Sequence, residues 1–249
     1  MFRNDPHQDD VREHYRKLAS EYKSRANRTC EKTYFKLMKR FLGSRRSLLE
    51  VGSGGDDVLD RLGSPFAVAC DLSLDMLRAR SCSQRSPCVA AVGETLPFQD
   101  ARFDGLFLIN VLEHVTDLEA VLSECARVLE EDGICVAITP NGNWEFWLDL
   151  AERWSLKIPE GPHTFLTTQK LRFFVEKWFD VVEHRTFLVL PAGPPGLAAF
   201  IDRITFSAAL GGGFFQFIVA KKRQPRFSYA RQQVKTIPQT VRAFNKLQD

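Results

Sequence analysis

Three carboxylates crowd a glycine turn in the stretch "LLEVGSGGDD". Glu50 closes an apolar run, Gly52 and Gly54 follow, and Asp56 and Asp57 come directly after. The two glycines permit a sharp turn and let a ligand approach where a Cβ would collide. In an open α/β sheet the loop after the first strand is a usual ligand position. A dinucleotide site would read G-x-G-x-x-G and present a helix N-terminus to pyrophosphate. Here the third glycine position is Asp57. Acids repel pyrophosphate, whereas a ligand carrying positive charge suits the same surroundings. Asp71 ends the next apolar run, in "FAVACDLS", twenty-one residues after Glu50. That is where a carboxylate takes the two hydroxyls of a ribose. Capping the following helix is the competing role for Asp71, one that Ser73 serves equally well. The pattern implies a cationic ligand with a ribose and no phosphate.

Two histidines are placed to act beside such a ligand. His163 lies in "EGPHTFLT" and His114 in "NVLEHV". For His163 the choice is between a base or orienting role and a structural one, in a segment of the kind that often carries function. His114 is read as capping or positioning the segment after it, with a catalytic role as the alternative. Asn110, Glu113, His114 and His163 also outline a metal constellation, but Asn110 stands where a hard cation needs a carboxylate. No metal is expected.

These residues require a scaffold of alternating strands and helices. Short apolar runs at 47–51, 66–70, 88–92, 104–109, 134–139, 181–190 and 214–220 read as strands, most of them continuous enough for a buried parallel sheet. Leu118, Val121, Leu122, Cys125, Val128 and Leu129 recur at helical spacing, and Gly133 is expected to close that crossover helix. A helix near 196–209 and the run "GGG" would let the last strand return antiparallel. The fold class is therefore α/β: a seven-stranded, doubly wound, Rossmann-like sheet, mostly parallel with one strand reversed. N-terminal helices over 9–42 and a helical lid insertion over 143–178 are expected to cover the pocket. The insertion holds Trp144, Phe146, Trp147, Trp154, Phe165, Phe173 and Phe174. Core packing of a lid helix accounts for most of these rings, and one or two remain for an apolar or aromatic acceptor. Residues 1–220 make one domain and 221–249 a basic extension.

Composition sets outer limits. The 249 residues are 44% hydrophobic and 26% charged, with a net charge of +3, too mild an excess to argue for nucleic acid. Cys30, Cys70, Cys82, Cys88, Cys125 and Cys135 form no C-x-x-C pair, which fits a reduced, cytoplasmic setting. The polar start "MFRNDPHQDD" lacks the apolar core of a signal peptide, and charges and glycines interrupt the most apolar stretch before it could span a membrane.

Taken in order, "LLEVGSGGD", "VACDLSLDML", "GETLPF", "FDGLFLINVLEHV" and "ARVLEEDGICVAITPN" resemble the successive motifs of the class I S-adenosylmethionine-dependent methyltransferases, in the branch that includes ubiquinone and menaquinone biosynthesis. The resemblance spans roughly residues 10 to 220 by motif order. It implies S-adenosylmethionine, a sulfonium with a ribose and no phosphate, as cofactor. It further implies that Glu50, Gly52 and Gly54 hold the methionine part, that Asp71 takes the ribose, and that Leu72 lies beside adenine. Gly93 and Glu94 would line the adenine pocket, and Asn110 would face the methyl end. Two positions depart from the pattern. Asp56 replaces the third loop glycine, and Val92 replaces the Asp that bonds the adenine amine, a loss of about 1–3 kcal/mol unless Glu94 substitutes for it. The activity implied is methyl transfer to a small-molecule acceptor, with O-methylation of a hydroxylated apolar or aromatic metabolite placed first. A non-catalytic binding or scaffold protein and a nicotinamide-dependent oxidoreductase are the alternatives.

Overall fold

In the computed structural model, residues 5–19, 28–80, 86–145, 162–187 and 213–223 are described. Seven strands form one sheet: β1 (Ser47–Val51), β2 (Phe66–Asp71), β3 (Cys88–Ala90), β4 (Phe103–Ile109), β5 (Leu129–Pro140), β6 (Phe179–Phe187) and β7 (Phe215–Lys222). Their order is β3-β2-β1-β4-β5-β7-β6. Pairings from β3 to β5 are parallel, and β7 runs antiparallel to both β5 and β6. This is the predicted sheet with its one reversed strand. Strand order reverses between β1 and β4, which opens a crevice at their carboxyl ends.

Alternation along the strands feeds two cores. Leu49, Val51, Leu106 and Leu108 join Val121, Leu122 and Cys125 of helix α5 (Leu118–Val128) on one face. Leu48, Phe107, Val136 and Val219 join Tyr34, Met38 and Leu42 of helix α2 (Arg28–Leu42) on the other. Helix α1 (Pro6–Leu18) precedes α2, while the short helices α3 (Val58–Leu62) and α4 (Leu74–Ala79) follow β1 and β2. The expected N-terminal cover is thus two helices with separate tasks. Only α1 reaches the crevice, because Met38 and Leu42 of α2 are wholly buried against the sheet.

Gly133 does not close the crossover helix. Helix α5 ends at Val128 and β5 starts at Leu129, and the register then jumps from Phe103↔Leu129 to Gly105↔Ile134. The extra residues bulge out, with Asp132 rather than the glycine taking the left-handed conformation at φ 68°. The expected helix near 196–209, Phe146, Trp147, Trp154, Cys82 and the extension from 224 onward lie outside the described residues. Lys221 and Lys222, assigned to that extension, belong to β7.

After the insertion the chain returns as a short segment bound to the end of β5. Asn141 bridges Leu166, the Gly142 N–H donates to the Leu166 carbonyl at 2.9 Å, and a Cβ on Gly142 would meet the Leu166 and Thr167 backbone at 2.9 Å. Buried Gln216 donates to the carbonyls of Leu166 at 2.6 Å and Pro140 at 3.3 Å. Helix α6 (Thr168–Val175) then packs beside α5 and β6. Gln216→Leu should lower stability by about 0.5–1.5 kcal/mol, because the Leu166 carbonyl loses one of its two donors and keeps the Gly142 N–H. Urea denaturation reads the loss as a lower midpoint at unchanged slope.

Candidate functional site

The loop after β1 is shaped by backbone geometry. Gly52 and Gly54 adopt φ of 71° and 52°, a region closed to most side chains. A Cβ at Gly52 would also overlap the Val111 side chain. The N–H groups of Gly52 and Ser53 converge on the Cys70 carbonyl at 2.7 and 3.0 Å. The next N–H, on Gly54, donates to Asp71 Oδ2 at 2.8 Å, and Ser73 N–H donates to Asp71 Oδ1 at 2.8 Å. Ser73 Oγ caps α4 by accepting from Met76 N–H at 3.4 Å. Of the two roles open to Asp71, helix capping therefore falls to Ser73. Burial raises the Asp71 pKa, and its two backbone donors oppose the rise.

A cleft of roughly 800 Å³, open mouth included, lies over the ends of β1, β2 and β4. Gly52, Gly54, Asp71, Leu72, Gly93, Glu94, Asn110 and His114 line it, as do Val92 and Met76. Asn110 takes φ 53° at the end of β4, and its buried Oδ1 has no hydrogen-bond partner among the described residues. Glu94 Oε1 is likewise buried and unpartnered. The loop carrying Glu94 is held at its far end by Arg127, which donates to the Leu96 carbonyl at 2.9 Å and the Phe98 carbonyl at 2.7 Å.

Glu50 is placed elsewhere. It does not line the cleft, and its Oε2 lies 3.4 Å from Arg80 Nη1 in the core, while Arg80 Nη2 reaches Asp60 at 3.0 Å. Desolvation drives the Glu50 pKa well up, the nearby Asp56 charge adds to that, and Arg80 opposes it. Asp56 and Asp57 are also absent from the cleft wall. Asp56 accepts from Val58 N–H at 3.0 Å, and Asp57 sits 3.5 Å from Arg61. The acidic side chains on the cleft wall are Asp71 and Glu94, and the acids of the opening motif brace the loop from behind.

His114 and His163 are neighbours with ring centroids 6.3 Å apart, but only His114 lines the cleft. His163 packs on Phe165 at 4.3 Å between centroids. His114 Nδ1 bonds the Pro162 carbonyl at 2.9 Å, and Nε2 bonds the Tyr15 hydroxyl at 3.0 Å. Glu113 Oε2 accepts from Thr139 Oγ1 at 2.7 Å. With both ring nitrogens of His114 engaged, these side chains are not arranged as metal ligands, and no group of three His, Cys, Asp or Glu in the described residues is.

Sequence reasoning placed a cover over 9–42 but did not name the residues of it that face the cleft. Gln8, Val11, Arg12 and Tyr15 of α1 line the cleft, and their i, i+3, i+4, i+7 spacing was the available signal. The aromatic residues of the described insertion do not: Phe165 is in the core, Phe174 packs against it, and Phe173 is 62% exposed.

Residues 49–137, from β1 to β5, match the methyltransferase domain family. Over those residues the chain is similar to the S-adenosylmethionine-dependent methyltransferases. Among curated relatives it is similar to an uncharacterized protein of Methanocaldococcus jannaschii, 30% identical over 53% of this chain and 52% of that one. It is also similar to the ubiquinone biosynthesis O-methyltransferase of Rhodopseudomonas palustris, 33% identical over 35% of this chain and 37% of that one. The chain thus spans about half or less of these relatives. Its fold matches a Thermotoga maritima S-adenosylmethionine-dependent methyltransferase, a possible histamine N-methyltransferase, at TM-score 0.67 and 18% identity over 86% of this chain and 100% of that one. An S-adenosylmethionine-dependent methyltransferase from Archaeoglobus fulgidus gives TM-score 0.60 and 20% identity over 81% and 97%. No helix in the described residues is long and apolar enough to cross a membrane.

Two substitutions test the loop in this methyltransferase domain. Gly52→Ala should cost ~2 kcal/mol from the left-handed backbone alone, and Val111→Ala on the same chain should recover part of the remainder, as read by thermal unfolding. Burial raises the Asp56 carboxyl from its ordinary 3.8 to about 6, helped by Asp57 and Glu31 and opposed by the Val58 N–H and Arg80. The folded chain then holds the extra proton between those values, so stability falls as pH rises through that interval. Asp56→Asn keeps the acceptor for Val58 N–H and should remove this share of the fall, at most about 3 kcal/mol. Melts of both proteins at pH 4.5 and pH 8 measure it as a smaller difference in the variant.

Proposed function

We propose that this chain transfers the methyl group of S-adenosylmethionine to a small-molecule acceptor, with O-methylation of a hydroxylated apolar or aromatic metabolite as the foremost reaction. The observation that carries this is the cleft wall. It combines a backbone-braced carboxylate, two side-chain-free loop positions and two buried, unpartnered oxygens. A nucleoside sulfonium supplies a group for each of these features.

In this reading Asp71 accepts the ribose hydroxyls through the lone pairs left beside its two backbone bonds. Gly52 and Gly54 admit the methionine chain, and Leu72 and Gly93 flank adenine. Glu94 Oε1 accepts from the adenine amine, the role left open by Val92. Asn110 Oδ1 accepts at the methionine end. Glu50 acts on the loop from behind. When bound, the cofactor supplies an electrophilic methyl group, and the protein's own contribution is alignment and exclusion of water. Such alignment lowers the barrier by up to roughly 7–11 kcal/mol in favourable cases. Val11, Ile109, Val111 and Val115 give the acceptor side an apolar wall. The likeness to a ubiquinone biosynthesis O-methyltransferase favours a hydroxyl acceptor.

Calorimetric titration with S-adenosylhomocysteine and NAD tests the reading. The expected result is micromolar S-adenosylhomocysteine affinity, about −8 kcal/mol, at least tenfold weaker in Asp71→Ala, with no heat from NAD. Binding of NAD alone would restore an oxidoreductase. S-adenosylhomocysteine binding without methylation across a panel of phenols, catechols and amines would favour a non-catalytic binding protein.

A further inference from the structure

We propose that Tyr15 is the residue that meets the acceptor, and that with His114 it forms a proton-transfer pair in which Tyr15 Oη takes the acceptor's proton as its own passes to His114 Nε2. The inference rests on the methyltransferase reading above and adds the route by which the acceptor loses its proton.

The hydrogen bonds fix the direction of the pair. A carbonyl only accepts, so the 2.9 Å contact to Pro162 places the hydrogen of a neutral ring on His114 Nδ1. Nε2 is then a lone pair, and the Tyr15 hydroxyl 3.0 Å away must donate to it. A phenolic oxygen that donates one bond retains lone pairs with which to accept another. Both side chains line the cleft. The ring is held by the Pro162 carbonyl on one side and by Tyr15 edge-on at 5.6 Å on the other. The His7 ring nitrogen bonds the His114 carbonyl at 3.1 Å, so α1 is attached to this residue twice.

His114 stays neutral at physiological pH. Burial lowers its pKa to about 4, the Pro162 bond opposes the fall, and electrostatic coupling to the neighbouring rings of His163, His14 and His7 adds to it. The titratable groups facing the ring are Tyr15, His7 and His14 from α1 and His163 from the returning insertion. So weak a base does not ionise a hydroxyl in advance. It has no need to: an acceptor oxygen that has bonded the methyl is an oxonium, whose proton is far more acidic than imidazolium. The transfer therefore accompanies or follows methylation. The methyl's bond to sulfur breaks as its bond to the acceptor oxygen forms, and the sulfonium becomes a neutral thioether. The acceptor's O–H bond breaks and its proton forms a new Tyr15 O–H. The old Tyr15 O–H breaks to form Nε2–H. The positive charge that began on sulfur ends on the imidazolium.

The test uses the full chain labelled with ¹⁵N-histidine, alone and with S-adenosylhomocysteine. Long-range proton–nitrogen NMR from pH 5.5 to 8 should show a neutral His114 with the proton on Nδ1. Tyr15→Phe should shift the Nε2 resonance toward that of an unbonded acceptor and leave Nδ1 unchanged. With labelled S-adenosylmethionine and the probe acceptors catechol and 3,4-dihydroxybenzoate, Tyr15→Phe should lower kcat about 10²-fold and leave the S-adenosylmethionine KM within twofold. A proton on Nε2 or an imidazolium at pH 7 overturns the pair, as does a Tyr15→Phe kcat within threefold of the parent. Where neither probe is methylated, the protonation state of the ring decides. Loss of S-adenosylhomocysteine binding in the parent chain is a failure of the methyltransferase reading itself, visible in the calorimetry.

Discussion

The site depends on how the end of β2 gathers the loop that leaves β1. Three consecutive N–H groups, on Gly52, Ser53 and Gly54, are taken up by the Cys70 carbonyl and the Asp71 carboxylate. Two strands that are neighbours in the sheet are thus also joined beyond its edge. An unsatisfied N–H in that position would carry a desolvation cost of about 1–3 kcal/mol, so the loop has little choice of path. Only glycine at Gly52 and Gly54 accepts that path without strain. The same bonds orient Asp71, so the geometry that holds the turn also presents the carboxylate.

Behind this turn lies a buried charge network. Arg80 joins Glu50 to Asp60, and Asp60 also accepts from the Ser86 N–H and hydroxyl at 3.0 and 2.7 Å. Buried ion pairs gain little net stability over well-packed apolar groups, but removing one partner is costly. Here the network links the end of β1, helix α3 and the approach to β3, three segments that a purely apolar contact would leave free to slide. Asp56 sits near it with a pKa raised to about 6 by burial. The acids that read as ligand contacts in the sequence are therefore largely concerned with holding the loop.

Much of the scaffold was legible because strands and helices announce themselves by period. The continuous runs of β1, β2 and β4, and the three-and-four spacing of α5, map onto observed elements with ends shifted by a few residues. Gly52, Gly54 and Asp71 were legible because backbone conformation and strand ends restrict residue type. Other features were not. That Glu50 turns to Arg80 depends on a contact thirty residues away in the chain, which no local pattern encodes. Asp132 takes the bulge in place of Gly133 because the β4–β5 register, not local preference, fixes where the extra residues go. Which of the N-terminal helices forms the roof was hidden for a related reason. The apolar faces of α1 and α2 look alike as amphipathic patterns, and only packing assigns one to the cleft and the other to the core.

The roof also has a consequence for the order in which the molecule assembles. His7 and Tyr15 find their partner, His114, 107 and 99 residues further along the chain, and Pro162 lies another 48 residues beyond. Contacts of such long sequence separation form late, because the entropy of closing the intervening loops comes before any gain. On a growing chain, α1 emerges ahead of β4 and the returning insertion and must wait for both before His7 and Tyr15 have their partner. The cleft acquires its wall from the sheet early and its ceiling last. Cofactor capture is thereby reserved for a chain whose central strands are already in place.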